Sequence, residues 1–380
     1  MELSQELQTR TELHTHLIGM LSSKGFIELY KELKVPLYLN DNLEADFENG
    51  KRYFPENLNL QPYENQISIR DNQPKTYEHM EGYYEVRSLS LKRMAQDLVE
   101  MNICEDYSQA ISFVFCKYLQ KALKELEQQN VEYVEISYSN LDLINSMMNY
   151  INGKTKIKCH FLLCTLRSKS AKNFRRTSSK ELNASLANNI SIGFDINGTE
   201  YPLKDSEKQE EGKESIKKKI KYVLSTLINY DRSTLRIHSG ETPESFDNTE
   251  FILEKLEEIK KELQQETGKN DILPPPEIRI GHGIYFREAQ EYVRLLKKFA
   301  ATIEINATSN YLLGNISNYS SLPYEFYIDN GIPIVLSTDG HGLYNTTIRI
   351  EDEIALQTIR KKYIDIIQTD KIILEGKTKW

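Results

Sequence analysis

Eight short β-rich runs, separated by stretches with helical spacing, constrain this chain more than any other feature in it. The runs are 11–16, 131–138, 157–165, 191–195, 234–238, 278–281, 302–305 and 333–338. Between them apolar residues recur at three- and four-residue steps. Examples are Tyr118, Leu119, Ala122, Leu123 and Leu126, and further on Phe251, Ile252, Leu256 and Ile259. Strands alternating with helices in this number predict an α/β fold, a (β/α)8 TIM barrel. A doubly wound open sheet shares the alternation, but no GxGxxG follows the first run, which counts against it. We read residues 1–380 as a single barrel domain.

The spacing is uneven at one place, between the first run and the second. There, residues 40–88 are polar, carry Pro55, Pro62 and Pro74, and hold Tyr53, Tyr63, Tyr77, Tyr83 and Tyr84. This predicts a long helical or lid-like insertion after strand 1 rather than a second domain. Its aromatic content argues against a plain solvated loop. A second feature is the stretch 165–180, which contains Arg167, Lys169, Lys172, Arg175, Arg176 and Lys180 and no acid. On a barrel it follows the third strand and lies on the face where active sites are built, so it suits an anion; a solvated basic loop reads the same way. The run 204–221 mixes Lys and Glu and reads as the exposed start of a helix.

Composition excludes more than it assigns. A net charge of -8, from 48 basic and 56 acidic residues, argues against a nucleic-acid partner. No apolar run approaches the roughly 18 residues of a membrane span. The start, Met1 to Gln5, has neither a basic nor an apolar leader region, so a cytoplasmic location is expected. Cys104, Cys116, Cys159 and Cys164 show no CxxC spacing and read as reduced residues. Homo-oligomer formation is left open.

The residues that carry chemistry fall at the ends of the expected strands. Strand one ends in His14 and His16, two apart and therefore on one face. Later strands end in His238, followed by Ser239-Gly240-Glu241; in Gly281-His282-Gly283; and in Thr338-Asp339. Each motif alone is weak: an HxH is common in structural settings, and Asp339 could cap a helix. Their shared placement makes the case. His14, His16, His238 and Asp339 suit one Zn²⁺ with a position left for water, whose pKa the ion lowers from 15.7 to about 7. Glu241, just past a ligand, is placed to shuttle a proton, and His282 to orient or deprotonate the water.

At this point the sequence resembles the adenosine deaminase family of metal-dependent hydrolases. The motifs are HTH (14–16), GFDINGTE (193–200), HSGE (238–241), RIGHG (279–283), TSN (308–310) and STD (337–339), spread over most of the chain. The resemblance implies zinc held by His14, His16, His238 and Asp339, with Glu241 as proton donor to the purine ring. It implies that His282 activates the water and that the Gly198 N–H meets the base. The reaction implied is hydrolytic loss of the adenine amino group as ammonia.

Two positions depart from the family pattern. Ile18 stands where the family has an aspartate for the ribose 5′-hydroxyl, and Gly340 where it has an aspartate at the purine. Loss of the first removes a charge that would repel a 5′-phosphate. The expected partner is therefore a small-molecule purine nucleoside or nucleotide, leaning to AMP, ADP or ATP, with Arg167, Arg175 and Arg176 as phosphate contacts. His341 is the candidate to replace the contact missing at Gly340. By the same resemblance the context is purine salvage or a bacterial antiviral system acting on the nucleotide pool. The competing reading is a non-catalytic structural or regulatory barrel that keeps the metal; retention of Glu241 and His282, which zinc binding alone does not need, weighs against it.

Overall fold

A computed structural model describes residues 10–167 (except 57 and 72), 185–200 (except 187 and 189), 207–227, 233–268 and 277–359. The expected strands form with small shifts in their ends. β1 (Arg10–His16) is followed, after a small hairpin of β2 (Leu37–Leu39) and β3 (Lys51–Tyr53), by β4 (Val131–Tyr138) and β5 (Lys158–Leu166). Then come β6 (Ser191–Asn197), β7 (Thr234–Ser239), β8 (Glu277–His282), β9 (Thr302–Ile305) and β10 (Ile334–Leu336). All but the hairpin join one eight-stranded parallel sheet in the order β1-β4-β5-β6-β7-β8-β9-β10. A parallel bridge from Thr15 to Asp339 brings β1 back to the far end of the sheet. The Asp339 N–H donates to the His14 carbonyl (2.9 Å) and the His16 N–H to the Asp339 carbonyl (3.3 Å). The fold is the (β/α)8 barrel the alternation predicts.

Parallel strands buried on both faces need an apolar outer side, and the helices supply it. In α4 (Tyr107–Gln128), Val114, Tyr118, Leu119, Ala122 and Leu126 are buried at helical spacing. Asp106 starts this helix by accepting the Gln109 N–H at 2.8 Å, a side-chain cap for an otherwise unpaired donor. Inside the barrel, by contrast, lies a closed ion network. Arg279 donates to both oxygens of Glu135 (2.6 and 2.9 Å) and approaches Glu304 (3.3 Å). Arg236 donates to Asp195 (3.0 Å) and to the Leu13 carbonyl (2.7 Å). Burying a charge is costly unless it is paired and hydrogen-bonded, and these charges are both.

The segment after β1 is more regular than its prolines suggest. It holds the β2–β3 hairpin, α2 (Gln61–Ile67) and the long α3 (Tyr77–Glu100). Pro62 sits in the first turn of α2, where a missing N–H costs nothing. Tyr63 is buried with its hydroxyl bonded to Ser90 (2.8 Å), so part of the aromatic content is core. Residues 207–221 of the mixed Lys/Glu run fall in a helix, Glu207–Leu227. The stretch 168–180, with Arg175 and Arg176, lies outside the described residues. No helix among the described residues is long and apolar enough to cross a membrane.

Candidate active site

The barrel's C-terminal rim gathers the histidines. Alternation along β1 sends His14 and His16 to one side, where His238 from the end of β7 meets them. The His238 Nε2 lies 3.0 Å from His14 Nε2 and 3.2 Å from His16 Nε2. Asp339 Oδ1 lies 3.3 Å from His16 Nε2 and 3.6 Å from His14 Nε2. Four donors around a metal at bonds of about 2.0–2.1 Å would stand about 3.3 Å apart, so this spacing fits such an ion. The other ring nitrogens reinforce the fit. His14 Nδ1 is 2.8 Å from Glu304 Oε2, and His238 Nδ1 is 3.1 Å from Asp195 Oδ1. A carboxylate at Nδ1 takes the N–H there and leaves the Nε2 lone pair free for a ligand role. Burial, with Arg236 and His238 nearby, holds His14 well below its usual pKa. Burial also lowers His238, against the pull of Asp195. Neutral imidazoles are the ligating form.

The rim residues need unusual backbone to reach these positions. His282 (φ 69°) and Asp339 (φ 63°) both occupy the left-handed region, a strain tolerated where surrounding structure fixes it. Gly281 has a different reason: a Cβ there would stand 2.8 Å from the His14 ring. Gly240 (φ 67°) would press a Cβ onto the Tyr285 carbonyl at 2.3 Å. The glycines of HSGE and RIGHG therefore serve the packing of the site.

Glu241 and His282 stand over the donor set. His282 Nε2 is 3.6 Å from Glu241 Oε1, and its Nδ1 is 3.0 Å from Asn310 Oδ1. An amide oxygen can only accept, so Nδ1 carries the proton and Nε2 faces the site with a lone pair. Burial pushes His282 down, but the carboxylates of Glu241 and Asp339 outweigh it and the net shift is upward. Asp339 is opposed by burial too, but the His16 contact and the neighbouring histidines hold it well below the usual carboxylate range.

A cavity of about 340 Å³ opens beside these groups. That volume is within the range of small-molecule sites. One face of α3 roofs it: Tyr77, Met80, Glu81 and Tyr84 fall at i, i+3, i+4 and i+7. Gly198 and Leu166 also line it. Burial, then the Glu241 carboxylate, push the Tyr77 phenol far above its ordinary range, so it stays protonated. Among the described residues the lining contains no Lys or Arg.

The adenosine deaminase family model matches residues 277–366, which hold RIGHG, TSN and STD. The adenosine deaminase of Enterococcus faecalis is 30 % identical over 111 residues, 29 % of this chain and 33 % of that protein. The matched part thus spans about a third of that relative. The adenosine deaminase of Clostridium kluyveri is 22 % identical over 389 residues, 98 % of this chain and 89 % of the relative. An Arabidopsis N6-mAMP deaminase shares the fold with a TM-score of 0.61, at 16 % identity over 93 % of this chain and 89 % of that one. The chain is similar to adenosine deaminase-like amidohydrolases, over its C-terminal quarter by the family model and over nearly its whole length by the Clostridium relative.

Among the residues expected at the site of this deaminase-like chain, His14, His16, His238, Asp339, Glu241, His282 and Gly198 meet around the cavity. Two others do not. His341 turns away, its Nε2 3.3 Å from Glu125 Oε2 on α4, because the loop after β10 folds back onto that helix. Arg167 is 2 % exposed and lies against Glu200 (3.6 Å), off the cavity wall. Gly340 is accounted for by space: a Cβ there would meet the Gly19 backbone at 3.2 Å.

The motifs hold most of the orienting residues, Asp195 in GFDINGTE and Ser309 and Asn310 in TSN, but did not reveal their role. The orienting residues are Glu304 and Asp195 behind the histidines, Asn310 behind His282, and Ser309, which donates to Asp339 Oδ2 at 2.6 Å. A signal existed for the first two, each an acid at an inward position of a strand whose neighbours are apolar.

Proposed function

We propose that this chain hydrolyses the C6 amino group from the adenine ring of a purine nucleoside or nucleotide, with preference for a 5′-phosphorylated substrate. The carrying observation is Glu241 and His282 Nε2 at 3.6 Å from each other above the His3Asp donor set and beside the cavity. His14, His16, His238 and Asp339 would hold a zinc ion. Bound there, such an ion supplies a water acidic enough to ionise near neutral pH.

The chain's own groups do the rest. His282 Nε2 accepts the proton of the attacking water, its lone pair fixed inward by Asn310 at Nδ1. The Glu241 carboxyl gives a proton to ring N1, which makes C6 electrophilic. After attack, the protonated His282 gives its proton to the departing amino group, the Glu241 carboxylate takes the proton of the new C6 hydroxyl, and the C6–N bond breaks to release ammonia and leave the C6 carbonyl. The α3 face covers one side of the cavity in which this happens. The Gly198 N–H, at the cavity lining, offers the base a donor.

The preference for a phosphate rests on Ile18, on an N6-methyl-AMP deaminase relative in Xenopus laevis, and on related Arabidopsis structures complexed with GMP and IMP. Its contacts would come from Arg175 and Arg176. The test is a panel of adenosine, deoxyadenosine, AMP, N6-methyl-AMP, ADP, ATP and dATP with zinc-loaded protein, following the released amine and the inosine-type product. Glu241→Ala is the control. Turnover confined to phosphorylated substrates and lost in the control is expected. Turnover of adenosine alone sinks the phosphate preference. No turnover with zinc bound leaves the non-catalytic reading.

A further inference from the structure

The HSGE loop is held by one buried carboxylate, that of Glu200. Its Oε1 accepts from the Gly240 N–H (3.0 Å) and Asn248 Nδ2 (2.9 Å). Its Oε2 accepts from the Glu241 N–H (2.8 Å) and the Ser245 hydroxyl (2.7 Å). Four acceptor sites are all a carboxylate offers, and all four are spent on the chain that carries Glu241. Gly240 supplies the left-handed turn that lets two successive N–H groups face one carboxylate. Behind Glu200 stands Arg167, fully enclosed, with its guanidinium Nη1 at 3.6 Å and no hydrogen-bond partner on any of its three side-chain nitrogens. A cation so enclosed is retained by charge, and the charge it faces is Glu200.

We propose that Glu200, charge-balanced by Arg167, is the positioning residue that aims the Glu241 carboxyl at the reacting ring. Arg167 thereby acts through Glu200 instead of on the substrate's phosphate. The proposal rests on the deaminase reading for the role of Glu241. A carboxylate accepts all four donors, whereas Gln presents an NH2 toward N–H groups on one side, so Glu200→Gln breaks the loop's geometry without changing volume. Misplacement of a proton donor by a fraction of an ångström acts on the transition state more than on substrate binding.

The experiment measures kcat and KM on the best adenine substrate for wild type, Glu200→Gln, Arg167→Met and Arg167→Lys, with zinc content and circular dichroism for each. It adds binding of two ligands, the inosine-type product and a 1,6-dihydropurine analogue with a tetrahedral C6 hydroxyl, which needs the Glu241 contact at N1. Glu200→Gln is expected to lose about 10²-fold in kcat, with KM within about threefold and zinc retained. Affinity for the tetrahedral analogue falls in parallel while product affinity holds. Arg167→Met loses about tenfold in kcat, and Arg167→Lys recovers most of it, because the contact is one of charge.

Unchanged kcat in Glu200→Gln overturns the proposal. So does an equal loss for product and analogue, which marks general damage to the site. If Glu200→Gln does not fold, the Arg167 pair decides: equal behaviour of Met and Lys overturns it. A wild type inactive on every purine overturns the deaminase reading beneath it, a different result from an active wild type matched by its Glu200 variant.

Discussion

At the scale of single residues, the site is governed by which nitrogen of each histidine holds the proton. Asn310 decides this for His282, since its amide oxygen at 3.0 Å fixes the proton on Nδ1. Asn310→Ala is expected to lower kcat by on the order of 10²-fold with zinc content unchanged, because the ring can then turn or change tautomer. Steady-state kinetics with metal analysis checks it. Asp195 decides it for His238, and also accepts from Ser137 (2.5 Å) and Arg236 (3.0 Å). Asp195→Asn should weaken zinc binding by about 10–100-fold, read by competition with a chromophoric chelator. An Asn310 variant that loses its metal, or an Asp195 variant that keeps full affinity, contradicts this division of labour. None of these pairings was legible in sequence. A histidine's neighbour at 3 Å is brought there by another strand, and nothing in the spacing of Asp195 and His238, or of His282 and Asn310, names the partner.

At the scale of elements, α3 both covers the cavity and packs on the barrel. Its first turn begins at the cap Thr76, which accepts the His79 N–H (3.3 Å) and meets the His79 ring at Nδ1 (2.8 Å). Tyr77 comes next, above Glu241. Farther along, Arg87 is fully buried and donates to the carbonyls of Ile18, Leu21 and Gly342, which ties the helix to the loops after β1 and β10. The anchored part is thus C-terminal to the cavity-facing part. Thr76→Ala should cost about 1 kcal/mol locally. It should raise KM with little change in Tm, since a first turn can fray without unfolding the barrel. Paired kinetic and thermal measurements test this; a fall in Tm as large as for a core variant would show the cap to be global. The sequence indicated a covering segment through its aromatics and position. It did not show a helix running to Glu100, because Pro74 and the polar stretch before it mark a boundary without specifying the element on its far side.

At the scale of the whole molecule, an ion held by the donor set would staple β1, β7 and the end of β10, which are far apart in sequence. Without one, ring nitrogens face each other at 3.0–3.2 Å. Chelation is expected to lower Tm by on the order of 5–10 °C, reversibly on adding zinc. Identical melting with and without chelator would deny the metal a structural share. A second whole-molecule effect comes from Glu351, which accepts from the Thr346 hydroxyl (2.8 Å) and the Thr308 N–H (3.2 Å). Burial pushes its pKa up to about 7 from the ordinary 4.5. The folded state then binds more protons than the unfolded one between these values, so stability falls as pH rises through that window. Glu351→Gln should gain on wild type across the same window by on the order of 2–3 kcal/mol. Chemical denaturation at pH 4.5 and 8 measures it, and a difference independent of pH would exclude the effect.

Local pattern was enough to define the strands and the residues at their ends. Period-two and period-3.6 patterns are short-range, so eight strands could be read almost to their boundaries. A parallel barrel then puts every strand end on one rim, which is why His14, His16, His238, His282 and Asp339 could be grouped before any contact was known. Which polar groups answer one another was settled only by tertiary contacts. Arg167 and His341 lie beside site residues in sequence, yet the turn of each backbone sends one to Glu200 and the other to Glu125. Gly340 is small because the Gly19 backbone passes close by. Charge pairing and close approach depend on distances between strands and loops that fold together from opposite ends of the chain, and no local pattern encodes those distances.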